Sequence, residues 1–186
     1  GGGGGGGGGD GGGGGGGGGG GTNPLVDNII NNSNIAIASD STGDCLDVSG
    51  NRVGPQTTIN QADHNQPLTV CSAGCTGKSV CAALDAGPRL NQNMLNATAA
   101  AANAGNSFTI VSLTTGDHAS NSQHYMGNAE DLAPKDHSSA SFEKLRKFFS
   151  DNQQLYNVDK VFCENKSGIA SCTSSGITHV HVQFKR

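Results

Sequence analysis

Apolar positions recur along the C-terminal half of this chain in two alternating periods. Leu90, Met94, Ala97 and Ala101 return to one face at helical spacing, with Pro88 suited to the first turn and Gly105 to a left-handed stop. That predicts a helix over 88–104. Phe108–Leu113 alternates β-branched and aromatic residues with Ser and Thr and reads as a strand. A polar loop, 114–121, and a short strand, 128–132, follow. Ser141 suits the cap of a second helix, striped by Phe142, Leu145 and Phe149 and ending near Asp151. Val158–Cys163 and Ile177–Phe184 read as two more strands. This order predicts an α+β fold with a mostly antiparallel sheet and helices on one face.

Upstream the pattern fades. Asn28–Ala38 carries an apolar run that reads as a strand or an extended connector, and 45–87 reads as loops and short strands held by disulfides. Residues 1–21 are glycine except Asp10. A true polyglycine run is a flexible linker with nothing to bury. So uniform a tract reads instead as a segment of unassigned side chains, a helix or anchor of ~30 Å if helical, through which the chain could self-assemble. The expected division is therefore 1–21, a cysteine-rich segment over 22–87, and a regular α+β domain over 88–186.

Composition narrows the function classes. The formal net charge is −4, which argues against nucleic acid as a partner. Six cysteines without a C-x-x-C pair read as disulfides, and disulfides place the protein outside the cytosol, extracellular or in a cell envelope. Cys163 and Cys172 flank a short polar loop and are expected to bridge it. Cys45, Cys71, Cys75 and Cys81 allow three pairings, which remain open.

Two stretches carry chemistry. In the last strand, alternation sends His179, His181 and Gln183 to one face and Val180, Val182 and Phe184 to the other, with neighbours on a face about 6.6 Å apart. One histidine of the pair can then bind a metal while the other touches what the metal holds. The second stretch is Ser122-x-His124-x-x-Gly127-x-Ala129-x-Asp131. Gly127 permits a tight turn, Ala129 permits close packing, and a strand over 128–132 returns Asp131 toward His124. Two imidazoles and one carboxylate leave a position open, the plan of a catalytic zinc site.

These residues resemble the zinc peptidases grouped as lysostaphin, the D-Ala-D-Ala metallopeptidases and the Hedgehog domain. The resemblance covers roughly 88–186. It implies that His124, Asp131 and His181 ligate Zn2+, that His179 lies beside the bound water as acid or base, and that Ser122 fixes the loop or hydrogen-bonds near a ligand. It also implies a Hedgehog or D-Ala-D-Ala peptidase-like fold and hydrolysis of peptidoglycan peptides, by a carboxypeptidase or an endopeptidase. Two departures stand out. Ser174–Thr178 offers no carboxylate before the last zinc histidine, and the 114–121 loop offers Asp117 and His118 but no arginine. Glu164 or Asp117 would have to reach the site through folding. The alternative expectation is a structural or adhesive subunit of a surface filament, holding a cell-surface partner, whose peptidase-like domain keeps its metal without the chemistry.

Overall fold

The computed structural model describes residues 22–186; the helix or anchor expected over 1–21 lies outside the described residues. In chain order the elements are α1 (Pro24–Ile30), β1 (Ile35–Ile37), β2 (Cys45–Asp47), β3 (Arg52–Val53), α2 (Pro55–Asp63), β4 (Thr69–Val70), β5 (Ser79–Ala83), α3 (Gln92–Asn103), β6 (Phe108–Ser112), β7 (Ala129–Pro134), α4 (Ser139–Asp151), α5 (Gln153–Tyr156), β8 (Val158–Asn165), β9 (Gly168–Ala170) and β10 (Ile177–Phe184).

Side-chain caps decide where the helices begin. The Asn91 side chain accepts from the N–H groups of Asn93 and Met94, so α3 starts at Gln92 and leaves Pro88 outside. Ser138, not Ser141, caps α4, and the Ser141 N–H is the donor it accepts from. The expected strand or connector over 28–38 is split. Asn23 and Pro24 start α1, and only Ile35–Ile37 pairs as a strand. A second helix, α2, stands where loops were expected, because Pro55 opens it and the Asp40 carboxylate takes both the N–H and the hydroxyl of Thr57, at 3.0 and 2.7 Å.

The α+β class holds, but the expectation of a mostly antiparallel sheet is corrected, since both sheets are mixed. The larger has the order β1-β6-β7-β10-β8-β9, with β1 joined to β6 in parallel and the other neighbours antiparallel. The smaller has the order β3-β2-β5-β4, with β2 and β5 parallel. Parallel neighbours need a long crossover between them, and the chain supplies one each time, through α2 between β2 and β5 and through α2 and α3 between β1 and β6.

One core joins the two regions on either side of residue 87. Val26, Ile29 and Ile59 are buried in the same cluster as Met94, Phe108, Leu132, Leu145, Phe149, Val180, Val182 and Phe184. Burying such side chains contributes about 1.5–3 kcal/mol each before entropy is counted. Val180, Val182 and Phe184 take the core face of β10, as alternation predicts, which turns the histidines the other way. The second core is small and consists of Val53 and four half-cystines, with Tyr125 packed against it. Disulfides join Cys45 to Cys75, Cys71 to Cys81 and Cys163 to Cys172. Three disulfides suggest an oxidising, extracellular setting. Among the described residues no helix is long and apolar enough to cross a membrane.

Candidate metal centre

Strand register brings four side chains together on the face of the sheet away from the main core. His181 on β10 lies opposite Asp131 on β7, and His179 lies opposite Glu164 on β8. His124 comes from a 3-10 turn, Gln123–Met126, that leads into β7. Ser122 begins that turn by accepting the His124 N–H on its Oγ. Gly127 ends it at φ 70°, in the left-handed region, and a Cβ there would collide with the Arg89 carbonyl oxygen. Both the conformation and the space therefore require glycine.

His124 is 1 % exposed. Its Nδ1 lies 2.7 Å from the Leu113 carbonyl oxygen, which can only accept, so Nδ1 carries the proton and Nε2 turns its lone pair into the site. That Nε2 is 3.3 Å from Asp131 Oδ1 and 3.3 Å from His181 Nδ1, and the latter two atoms are 2.9 Å apart. Tetrahedral zinc with bonds of ~2.0–2.1 Å has ligand-to-ligand edges of ~3.3 Å. The three atoms thus stand near the corners of one face of such a tetrahedron, and the donor set fits the ion.

His118 joins this group. Its ring stacks 3.8 Å from that of His124 at an interplanar angle of 3°. His118, His124 and Asp131 present ligand atoms within 4.8 Å of one another, a group that can hold a metal ion. Burial, reinforced by the neighbouring His124, pulls the His118 imidazole down to about 4, so it is neutral at physiological pH. Its Nε2 lies 2.9 Å from Ser112 Oγ and 3.2 Å from the Thr115 carbonyl oxygen, and its N–H donates to the Tyr125 hydroxyl.

Charge in the site is unevenly distributed. Burial works to raise the Asp131 carboxyl, but the attraction and hydrogen bond of His124, with those of His181 and His179, overcome it and hold the group well below its usual range. His179 Nε2 lies 3.5 Å from Asp131 Oδ1 and 2.9 Å from Glu164 Oε2, while its Nδ1 lies 2.9 Å from Thr178 Oγ1. His179, Asp131 and Glu164 border an open cleft of about 390 Å³ that Ser122 also lines. The carboxylate absent from Ser174–Thr178 is therefore matched by one on the neighbouring strand.

Asp117 does not act in the same way. Its carboxylate accepts from the Gly74 N–H at 2.6 Å and the Thr76 hydroxyl at 2.8 Å, which bind the cysteine-rich segment to the 114–121 loop. The sulfurs of Cys45, Cys71, Cys75 and Cys81 also cluster, but all four are spent in disulfides. His118 is the group that local pattern does not connect to the candidate metal site, because its approach depends on the path of an irregular loop. Glu164 shares a face of β8 with Phe162, and only the pairing of β8 with β10 carries it to His179. No family model matches the chain, and no curated protein or solved structure matches it.

Proposed function

We propose that the chain is an extracytoplasmic zinc peptidase, similar in fold and site to the lysostaphin, D-Ala-D-Ala metallopeptidase and Hedgehog group, acting on peptidoglycan peptides. The observation that carries this reading is the set His124 Nε2, Asp131 Oδ1 and His181 Nδ1 at tetrahedral spacing, with the His179–Glu164 pair beside it. Zinc held by the three ligands supplies Lewis acidity, which lets water ionise near neutral pH and polarises a peptide carbonyl.

The protein's own part is to hold the ligands and move a proton. Leu113 fixes the His124 tautomer, and the cross-strand hydrogen bond with Asp131 fixes His181. The proton released by the attacking water is held between His179 Nε2 and Glu164 Oε2. From there it passes to the leaving amine nitrogen, so one pair serves first as base and then as acid.

Metal analysis of the purified protein tests the root of this reading. One zinc per chain is expected, with loss of the metal in His124→Ala. Hydrolysis of muropeptides tests the rest: His179→Ala should bind zinc and lose ~10²–10⁴-fold in rate. A wild-type protein that holds zinc and cuts no muropeptide would point instead to a metal-keeping subunit of a surface assembly.

A further inference from the structure

The strand that carries the two site histidines is irregular just before them. Ile177 on β10 lies opposite Asn165 on β8 and His179 lies opposite Glu164, so two steps along β10 match one along β8 and Thr178 is the extra residue of a β-bulge. Successive side chains of a regular strand point to opposite faces, which would turn Thr178 away from His179. The bulge brings them together. Thr178 Oγ1 lies 2.9 Å from His179 Nδ1 and 3.2 Å from the Glu164 carbonyl oxygen. The stretch Ser174–Thr178, which offers no carboxylate, thus supplies a hydroxyl to the same histidine.

His179 is held at both ring nitrogens. Its Nε2 meets Glu164 Oε2 at 2.9 Å while its Nδ1 meets Thr178. A ring turned through half a rotation would offer carbons to both partners and lose both bonds. The Glu164 contact alone is the weaker anchor, because that carboxylate ends a flexible side chain 29 % exposed. Thr178 is β-branched and stiff, and its hydroxyl also reaches the main chain of β8. A hydroxyl can donate to a bare Nδ1, or accept from a protonated one while giving its own proton to the Glu164 carbonyl oxygen. Nδ1 therefore keeps its partner while Nε2 takes up a proton and passes it on.

Resting on the peptidase reading above, we infer that Thr178 is a positioning residue, placed by the bulge to set the His179 ring so that Nε2 faces Glu164 and the cleft. It acts through His179 and does not line the cleft itself.

Thr178→Val removes the hydroxyl at an exposed strand position that suits a β-branched side chain, so fold and zinc content should be kept. On the zinc-loaded full chain with a muropeptide substrate, kcat should fall roughly tenfold or more with KM unchanged, part of the ~10²–10⁴-fold that a placed acid–base group contributes. Thr178→Ser should recover most of that rate, and Thr178→Ala should lose it as Thr178→Val does. NMR of the ring nitrogens reads the contact without any substrate. The His179 Nδ1 signal should shift in Thr178→Val and Thr178→Ala and return in Thr178→Ser, with the His124 and His181 signals in place throughout. An unmoved Nδ1 signal overturns the inference whether or not the peptide is cut, and so does a shifted signal with kcat unchanged. A shifted signal in a protein whose wild type cuts no muropeptide upholds Thr178 as the residue that places His179 and overturns the peptidase reading, so the two failures are distinguishable.

Discussion

Neighbouring carboxylates on β7 are driven in opposite directions because they face opposite sides of the sheet. Asp131 meets three imidazoles and is held low, whereas Glu130 is buried among apolar residues and is pushed up to about 8, a rise that its Thr98 hydrogen bond only partly offsets. Across the interval from about 4.5 to 8, folded Glu130 keeps a proton that the unfolded chain has released. Its contribution to stability is therefore full below the unfolded value and is lost as pH rises toward 8. In metal-free protein, urea unfolding at pH 5 and pH 8 should show Glu130→Gln gaining on wild type as pH rises, by on the order of 3 kcal/mol. An unchanged difference between the two pH values would rule the buried acid out. Burial acts on His118 as well, in the direction opposite to Glu130 because the imidazole is charged when protonated. His118, shielded and beside another imidazole, should show no ring protonation by NMR between pH 8 and pH 5 in metal-free protein, and a titration near pH 6.5 would contradict the stacked, buried geometry.

At the scale of elements, the turn from Ser122 to Gly127 does more for the site than any single ligand, because it decides where His124 points. Ser122→Ala removes a cap and should cost about 1 kcal/mol. Gly127→Ala combines a left-handed φ with a collision at the Arg89 carbonyl, and should cost on the order of 2–4 kcal/mol and reduce bound zinc. Thermal melts with metal analysis check both, and a Gly127→Ala protein that keeps its melting temperature would refute the close approach. The same elements show what was legible beforehand. The alternation of β10 was readable because period two is a local property, and it placed Val180, Val182 and Phe184 correctly in the core. The starts of α3 and α4 moved because Asn91 and Ser138 hold the helix-end N–H groups, and several residues nearby could have done so. Helices α1 and α2 escaped notice because they are short and built largely from β-branched residues, Asn and Asp, which favour other conformations. Glu164 escaped because strand register is set by pairing across the sheet, which local periodicity does not encode.

At the scale of the whole molecule, the two cores have different origins, and that difference predicts a separable response to reduction. The main core holds large apolar side chains from helices and sheet alike, while the lesser one is almost all half-cystine. Closing loops of 30 and 10 residues stabilises that lesser region by roughly 3 kcal/mol per bridge in the chain-entropy account. Tyr125 connects it to the metal centre by packing on the cystines while its hydroxyl accepts the His118 N–H. The proposed ligands His124, Asp131 and His181, however, rest on the larger sheet and on the turn entering it. Breaking Cys45–Cys75 and Cys71–Cys81, by substituting all four residues with Ser, should strip amide protection from residues 45–83 in hydrogen exchange and leave β6, β7, β8 and β10 protected. Zinc should still bind, within about tenfold of its original affinity, since no ligand loses its support. Simultaneous loss of protection in both regions would mean that the cystine core supports the whole sheet, and that Asp117 and Tyr125 bind the regions into one cooperative unit.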